Sequence, residues 1–279
     1  LLQVERASVR YTLRGAGLFA PARTLDALTD VSIAIPEGGR LGVVGESGSG
    51  KSTLARVVLG LVRAQAGRVA WEGRTVDYDD ATAMRSLRRE MQVVFQDPFG
   101  SLDPRMTAGQ AVGEALQALA GPVASVAAQD RIHAALSDVG LAAAFANRYP
   151  HEMSGGQCQR VAIARAIVAR PRLLVCDEVV SALDVSVQAQ IVNLLHELSE
   201  RYQMSLLFIS HNLAVVRHLC DEVAVLCQGR LVEQGSRAAI FGDPQMQYTR
   251  DLLAAVPEPD PALQRARIAS ARNALRASR

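Results

Sequence analysis

The chain has 279 residues, enough to bury a full core, and sets 30 Lys and Arg against 28 Asp and Glu for a formal net charge of +2. With 21% charged residues in that near balance, there is no strongly basic footprint for nucleic acid. Hydrophobic residues make up 49% of the chain, ordinary for a globular α/β protein, and none of the apolar runs approaches the ~18 residues that would mark a membrane span.

The opening residues, Leu1-Leu2-Gln3-Val4-Glu5-Arg6, carry no signal-peptide pattern, and a start without Met reads as a trimmed or internal segment. Residues 4–13 alternate as a strand, 15–23 read as a loop, and 31–35 form a second strand closed by the turn Pro36-Glu37-Gly38-Gly39. The run Leu41-Gly42-Val43-Val44 reads as a buried strand. It leads into Gly45-Glu46-Ser47-Gly48-Ser49-Gly50-Lys51-Ser52, which meets the phosphate-loop pattern G-x-x-x-x-G-K-[ST] at every fixed position. Residues 53–61 follow with apolar side chains at helical spacing. Strand, glycine loop and helix form the context that this motif requires. The glycines let backbone N–H groups curl round a polyphosphate, and the helix N-terminus adds partial positive charge. Gly45, Ser47, Gly48, Ser49, Gly50, Lys51, Ser52 and Thr53 are therefore the expected nucleotide contacts, with Lys51 on the outer phosphates and the Ser52 hydroxyl on Mg²⁺.

The 30 basic residues are 29 arginines and a single lysine, Lys51. Arginine serves wherever a generic cation is wanted, and lysine stands where a compact ammonium must fit among phosphate oxygens.

Further along, 68–71 read as a strand entering the turn Glu72-Gly73, 79–90 as a polar helix and 91–95 as a buried strand. Residues 107–147 are Ala/Leu-rich and strand-free, which predicts a helical insertion with helices over 107–119, 123–139 and 141–147, broken at Gly121-Pro122 and Gly140. After Pro150 the alternation resumes: helix 156–169, strand 173–176, helix 185–201, strand 205–210, and short strands 222–227 and 230–233 meeting at Gln228-Gly229. From Ser236 the chain reads as helix and tail. Such alternation implies a mainly parallel sheet with helices on its faces. The four cysteines, Cys158, Cys176, Cys220 and Cys227, show neither a C-x-x-C pair nor metal-ligand spacing, and read as reduced, buried small hydrophobes of a cytosolic protein. Residues 261–279 hold five arginines and no acid, a frayed basic tail or, as the lesser alternative, a weak contact for anionic lipid headgroups.

Two further stations carry chemistry. Leu173-Leu174-Val175-Cys176-Asp177-Glu178 is an apolar strand ending in two acids. Beside a phosphate loop, Asp177 suits Mg²⁺ and Glu178 suits the general base that orients an attacking water. Met153-Ser154-Gly155-Gly156-Gln157 opens a long helix with a hydroxyl and paired glycines, a second anion site. Two anion sites about a hundred residues apart suggest a nucleotide held between two copies of the domain.

With these residues the chain resembles the ATP-binding cassette (ABC) family, whose signature is of the LSGGQ type with Met153 here in place of Leu. The resemblance implies an α/β P-loop NTPase core with a mainly parallel sheet, an antiparallel N-terminal β-subdomain and an inserted α-helical subdomain at about 100–165. On this resemblance the ATPase domain spans 1–256 and a short C-terminal extension spans 257–279. It also implies Gln96 as the glutamine that touches Mg²⁺ and water and faces a membrane subunit, Ser181-Ala182-Leu183-Asp184 as the D-loop, and His211 as the switch histidine. Tyr11 matches the aromatic that stacks on adenine, with Phe19 as its rival. Val179 departs from the family's usual proline and Asn212 from its usual aspartate; neither removes a ligand to nucleotide or metal.

Phe95-Gln96-Asp97-Pro98-Phe99-Gly100-Ser101-Leu102-Asp103-Pro104-Arg105-Met106 is similar to the corresponding stretch of oligopeptide/dipeptide permease ATPases. So are 149–160, 181–190 and 247–257, and Thr53-Leu54-Ala55-Arg56 looks more like the second ATPase of such importers. The resemblance implies ATP and Mg²⁺ as cofactors and a site at the cytoplasmic membrane face. It implies as partners a second cassette subunit (of the same or a different chain), two membrane permease subunits and an extracytoplasmic binding protein, with no nucleic acid. Peptides are the expected cargo and nickel or metal chelates the alternative; a soluble cassette ATPase acting on nucleic acid or ribosomes is the remote one. No iron–sulfur cluster is expected, since no cysteine follows Cys227.

Overall fold

The computed structural model describes residues 1–13, 23–121 and 124–255. Phe19, Pro122, most of the expected loop at 15–23 and the basic tail at 261–279 lie outside the described residues.

Two sheets organise the described chain. The first is antiparallel and four-stranded, in the order β2 (Arg23–Ile35), β1 (Leu2–Leu13), β4 (Ala66–Trp71), β5 (Arg74–Thr75). The second has six strands in the order β10 (Arg230–Ser236), β9 (Glu222–Cys227), β3 (Arg40–Val44), β8 (Ser205–Ile209), β7 (Leu173–Asp177), β6 (Met91–Val94). Every pairing in it is parallel except the β9–β10 hairpin.

The central strands are buried on both faces, which is why they read as continuous apolar runs rather than alternating ones. Leu173 and Val175 of β7, with Leu207 and Ile209 of β8, join a core shared with the antiparallel sheet and with α1 (Lys51–Val58). Leu174 and Cys176, with Leu206 and Phe208, point the other way into a core filled from α3 (Ala108–Ala120), α4 (Ser125–Asp138), α5 (Gly155–Ile167), α6 (Val185–Tyr202) and α7 (Leu213–Leu219). α2 (Ala81–Glu90) adds Met84 and Leu87 to the first core, and α8 (Arg237–Gly242) and α9 (Gln247–Ala254) follow β10. Cys158, Cys176 and Cys220 are buried, Cys227 is half-buried, and all four are free thiols. No single described helix is long and apolar enough to cross a membrane.

Beyond shifted element ends, the structure departs from the sequence reading mainly as follows. β2 begins at Arg23 rather than Val31, because bulges in its pairing with β1 break the two-residue alternation; Arg6 and Asp30 sit there at φ of 51° and 54°. The expected helix at 141–147 is a 3₁₀ segment, Ala143–Asn147. Gly140, at φ 72°, ends α4 in a backbone turn closed by Gly140 N–H on Ser137 O and Leu141 N–H on Leu136 O, both at 2.9 Å, and Pro150 leaves little chain in which to restart a full helix. The two-residue β5 and the seven-residue α7 are additions. In α7 the cap is Asn212, whose side chain accepts from the N–H groups of Ala214 and Val215.

β3, β8 and β7 run parallel side by side, with Val43 and Asp177 both registered on Ile209. Their C-terminal ends therefore open on one edge of the sheet, where an α/β fold presents its loops to a ligand.

Candidate active site

The phosphate loop leaves β3 at Gly45, and α1 begins at Lys51. Backbone crowding explains two of its glycines. Gly45 has φ 149° and a Cβ there would lie 2.1 Å from Leu226 O; Gly50 has φ 103° and a Cβ there would lie 2.4 Å from Ala27 O. Gly50 caps α1 with no side-chain hydrogen bond, so the first N–H groups of the helix are left for an anion. The β9–β10 turn braces the loop from behind: Gly229 N–H donates to Ser49 O at 3.0 Å, and Thr29 N–H of β2 donates to Gly229 O at 2.7 Å.

Lys51 is 4% exposed, and its ammonium donates to Gly45 O and Glu46 O at 2.8 Å each, with Ser49 Oγ at 3.5 Å. Burial lowers its pKa, an effect opposed by the nearby carboxylates of Glu178 and Asp177. The charge is thus held in place by loop carbonyls and two acids, ready to be shared with anionic oxygens. Ser52 Oγ donates to Asp177 Oδ1 at 3.1 Å. Burial raises the Asp177 pKa, the Ser52 hydrogen bond lowers it, and Glu178 pushes it up again.

Glu178 sits in the left-handed region at φ 52°, unusual for a non-glycine residue and held by its surroundings. Its N–H donates to Ile209 O at 3.0 Å, and its carbonyl accepts from Ser181 N–H at 3.1 Å and Ser181 Oγ at 2.9 Å. So fixed, the carboxylate, 19% exposed, brings Oε1 within 3.5 Å of Nδ1 of His211, which is 55% exposed. The Asp177–Ile209 register is what sets the Glu178 and His211 ends side by side.

A cleft of about 540 Å³ joins these parts. Ser47, Gly48, Gly50, Lys51, Ser52, Thr53 and Glu178 line it together with Tyr11 at the end of β1. The Tyr11 hydroxyl is buried without a hydrogen-bond partner among the described residues. Leu25, Asp26, Ala27 and Gln228 also line the cleft and were not singled out from sequence. The first three arrive through pairing with β1 (Tyr11 with Leu25, Arg10 with Asp26), and Gln228 arrives through its hairpin turn at φ 46°. The Gln228-Gly229 turn signal was visible; its place against the loop was not.

The remaining expected residues gather elsewhere. Ser154 Oγ accepts from Gln157 N–H at 3.3 Å while Gln157 Oε1 accepts from Ser154 N–H at 2.9 Å, a reciprocal cap that starts α5. Asp184 caps α6: its carboxylate accepts from Ser186 Oγ at 2.6 Å and Val187 N–H at 3.0 Å, hydrogen bonds that lower its pKa. A Cβ on Gly156 would lie 2.6 Å from Val187 Cγ1, and one on Gly155 would lie 3.6 Å from Leu183 Cδ2, so the two helix starts form one patch. None of these residues lines the cleft. Gln96 is exposed in the loop after β6 and does not line it either.

For Mg²⁺ the donor chemistry fits. Ser52 and Asp177 offer hard oxygens, suited to an ion that completes its shell with water and phosphate oxygens. Among the described residues no cluster of three or more His, Cys, Asp or Glu side chains forms a protein-only metal site.

A family model described as ABC transporter matches residues 28–181. The chain is 46% identical over 267 residues to the oligopeptide transport ATP-binding protein OppF of Salmonella typhimurium, covering 95% of this chain and 80% of that protein. To OppF of Haemophilus influenzae it is 45% identical with the same coverage. Among solved structures, the dimeric post-hydrolysis state of the ATP-binding cassette MJ0796 bound to ADP and Pi superposes with a TM-score of 0.74 at 28% identity, over 85% of this chain and 99% of that one.

Proposed function

We propose, for a chain that belongs to the ABC transporter family, that it is the ATP-hydrolysing subunit of a peptide importer. The observation that carries the reading is the convergence of Lys51, Ser52, Asp177, Glu178 and His211 at one sheet edge: four line or touch the loop cleft, and His211 stands against Glu178.

In this reading ATP lies in the cleft with its adenine against Tyr11 and its phosphates on the N–H groups of Gly45 to Thr53. The Lys51 ammonium, now shared between two loop carbonyls, turns its donors to the outer phosphate oxygens. Ser52 and Asp177 would hold Mg²⁺, which supplies charge neutralisation on the phosphates, and Gln96 would join them once its loop moves to the cleft. Glu178 accepts a proton from the water that attacks the terminal phosphorus, and ADP leaves. His211 holds the Glu178 carboxylate and reaches toward the same phosphate.

Ser154, Gly155, Gly156 and Gln157 would offer a second anion-binding surface at the start of α5, away from the chain's own cleft, with Asp184 capping the neighbouring helix beside it. That separation favours a paired arrangement in which they close over the nucleotide of a second cassette subunit. Likeness to the dimeric post-hydrolysis state of the cassette MJ0796 supports the same arrangement. The ATPase domain would span 1–256 with its helical subdomain at about 100–165, and 257–279 would form the extension. Two membrane permease subunits and an extracytoplasmic binding protein complete the importer, with this chain peripheral on the cytoplasmic face and Gln96 at the permease contact. Closure and reopening of the pair convert turnover into alternating access.

The test is to purify the chain with its membrane partners and measure ATPase stimulation by binding protein loaded with short peptides. Stimulation by peptide supports the reading, and stimulation by nickel chelate alone moves the cargo. Turnover driven by RNA or DNA without permease subunits overturns it.

A further inference from the structure

Tyr248, in the first turn of α9, reaches across more than two hundred residues of sequence to the phosphate loop. The Gly45–Glu46 peptide is gripped from both ends. Its carbonyl accepts from the Lys51 ammonium at 2.8 Å, and its N–H donates to the Tyr248 hydroxyl at 3.3 Å. Gly45 is packed closely against Leu226 O, and these two hydrogen bonds fix the orientation of its peptide from either side. When Lys51 has phosphate oxygens to serve, Tyr248 is the grip that remains.

The helix carrying Tyr248 is itself secured from another element. Its N-cap, Met246, supplies no side-chain cap. Glu233 of β10 does so instead: one carboxylate oxygen accepts from Gln245 N–H at 2.7 Å and the other from Met246 N–H at 3.2 Å. Tyr248, Leu252 and Leu253 pack on the larger core, and Thr249 is buried. A continuous route therefore runs from β10 through Glu233 and α9 to the first peptide of the loop. Burial pushes the Tyr248 pKa up, so the phenol is neutral at physiological pH.

We propose that Tyr248 is a positioning residue for the phosphate loop, its hydroxyl orienting the Gly45–Glu46 peptide so that docking of α9 and nucleotide affinity are linked. The proposal rests on the cleft being an ATP site. Linkage is reciprocal: a docked α9 tightens ATP, and ATP tightens α9.

The experiment uses the full chain and two substitutions. Tyr248→Phe keeps the ring and removes the hydroxyl; Glu233→Gln keeps the shape and weakens the cap. Each weakens ATP binding about threefold to tenfold, the usual worth of one hydrogen bond, with the loss falling on KM more than on kcat. A β,γ-imido ATP analogue slows amide exchange over 247–254 in the wild type and less in Tyr248→Phe. Wild-type ATP affinity in both variants, or a lowered melting temperature with unchanged affinity, overturns the proposal and leaves Tyr248 as a packing residue. If the wild type itself binds ATP no better than Lys51→Met, the site reading falls and takes the proposal with it.

Discussion

Replacing Lys51 by Met keeps the stem and removes the ammonium, and the surroundings of Lys51 fix what should follow. The Lys51 ammonium is buried, with its pKa lowered by that burial, so its removal relieves a desolvation cost. The same change leaves Gly45 O and Glu46 O without their 2.8 Å donor. These effects oppose each other, and the nucleotide-free melting temperature should move by only about 2 °C to 4 °C, equivalent to about 1 kcal/mol in a domain of this size. ATP binding has no such cancellation. A charge-assisted hydrogen bond is worth about 1.5–3 kcal/mol, so the dissociation constant should rise by roughly one to two orders of magnitude. At an ATP concentration of about 100 times the wild-type dissociation constant, ligand binding stabilises the wild type by about 2.7 kcal/mol. For a variant weakened a hundredfold the figure is about 0.4 kcal/mol. Thermal melts with and without ATP should therefore show a shift of roughly 5–11 °C falling to 1–2 °C. A Lys51→Met chain that keeps the full ATP shift refutes the phosphate role. One that collapses without nucleotide shows Lys51 to be a structural strut.

Glu178→Gln should abolish turnover and leave ATP bound, trapping the closed pair; continued hydrolysis in a single-turnover assay would remove Glu178 as base. Asp177 has a folded pKa raised above the ordinary 3.8, chiefly by burial, so the fold favours its protonated form. The stability this gives is present below pH 3.8 and is lost as pH rises through the raised value, leaving the carboxylate a cost at neutral pH. Asp177→Asn should thus raise the nucleotide-free melting temperature at pH 7, narrow that gain toward pH 4, and abolish magnesium-dependent turnover. Tyr11→Ala should weaken ATP and ADP alike by roughly fivefold to a hundredfold, the worth of one base stack, while Tyr11→Phe stays near wild type in a fluorescent-nucleotide titration. Equal affinities for Tyr11→Ala and the wild type would assign the adenine contact to another residue.

Much of the site was legible because its chemistry is local. A glycine loop between a buried strand and a helix, and two acids ending another strand, are contiguous in sequence, and parallel pairing of β3, β7 and β8 brings them together. His211 gained its place through the same pairing. Leu25, Asp26, Ala27 and Gln228 were illegible because antiparallel pairing and a hairpin carry them to the cleft, and neither leaves a motif. The Tyr248–Glu46 hydrogen bond lies further out of reach, a long-range contact from a stretch that reads as helix and carries a family resemblance, with nothing in it that points to the phosphate loop. Bulges hid the first part of β2, since a skipped register reverses which residues alternate inward. The short α7 was hidden by its length, although Asn212 marked its start.

The solitary lysine has a consequence for chemical labelling. Amine-reactive acylating reagents, which decorate most proteins at many surface lysines, meet in this chain a single side-chain target, Lys51, beyond any amine at the terminus. That target is covered by its own loop and bonded to two carbonyls, while the exposed cations are arginines, inert to such reagents. Acylation would therefore count how often the loop lifts off its lysine, a one-site footprint read by intact mass.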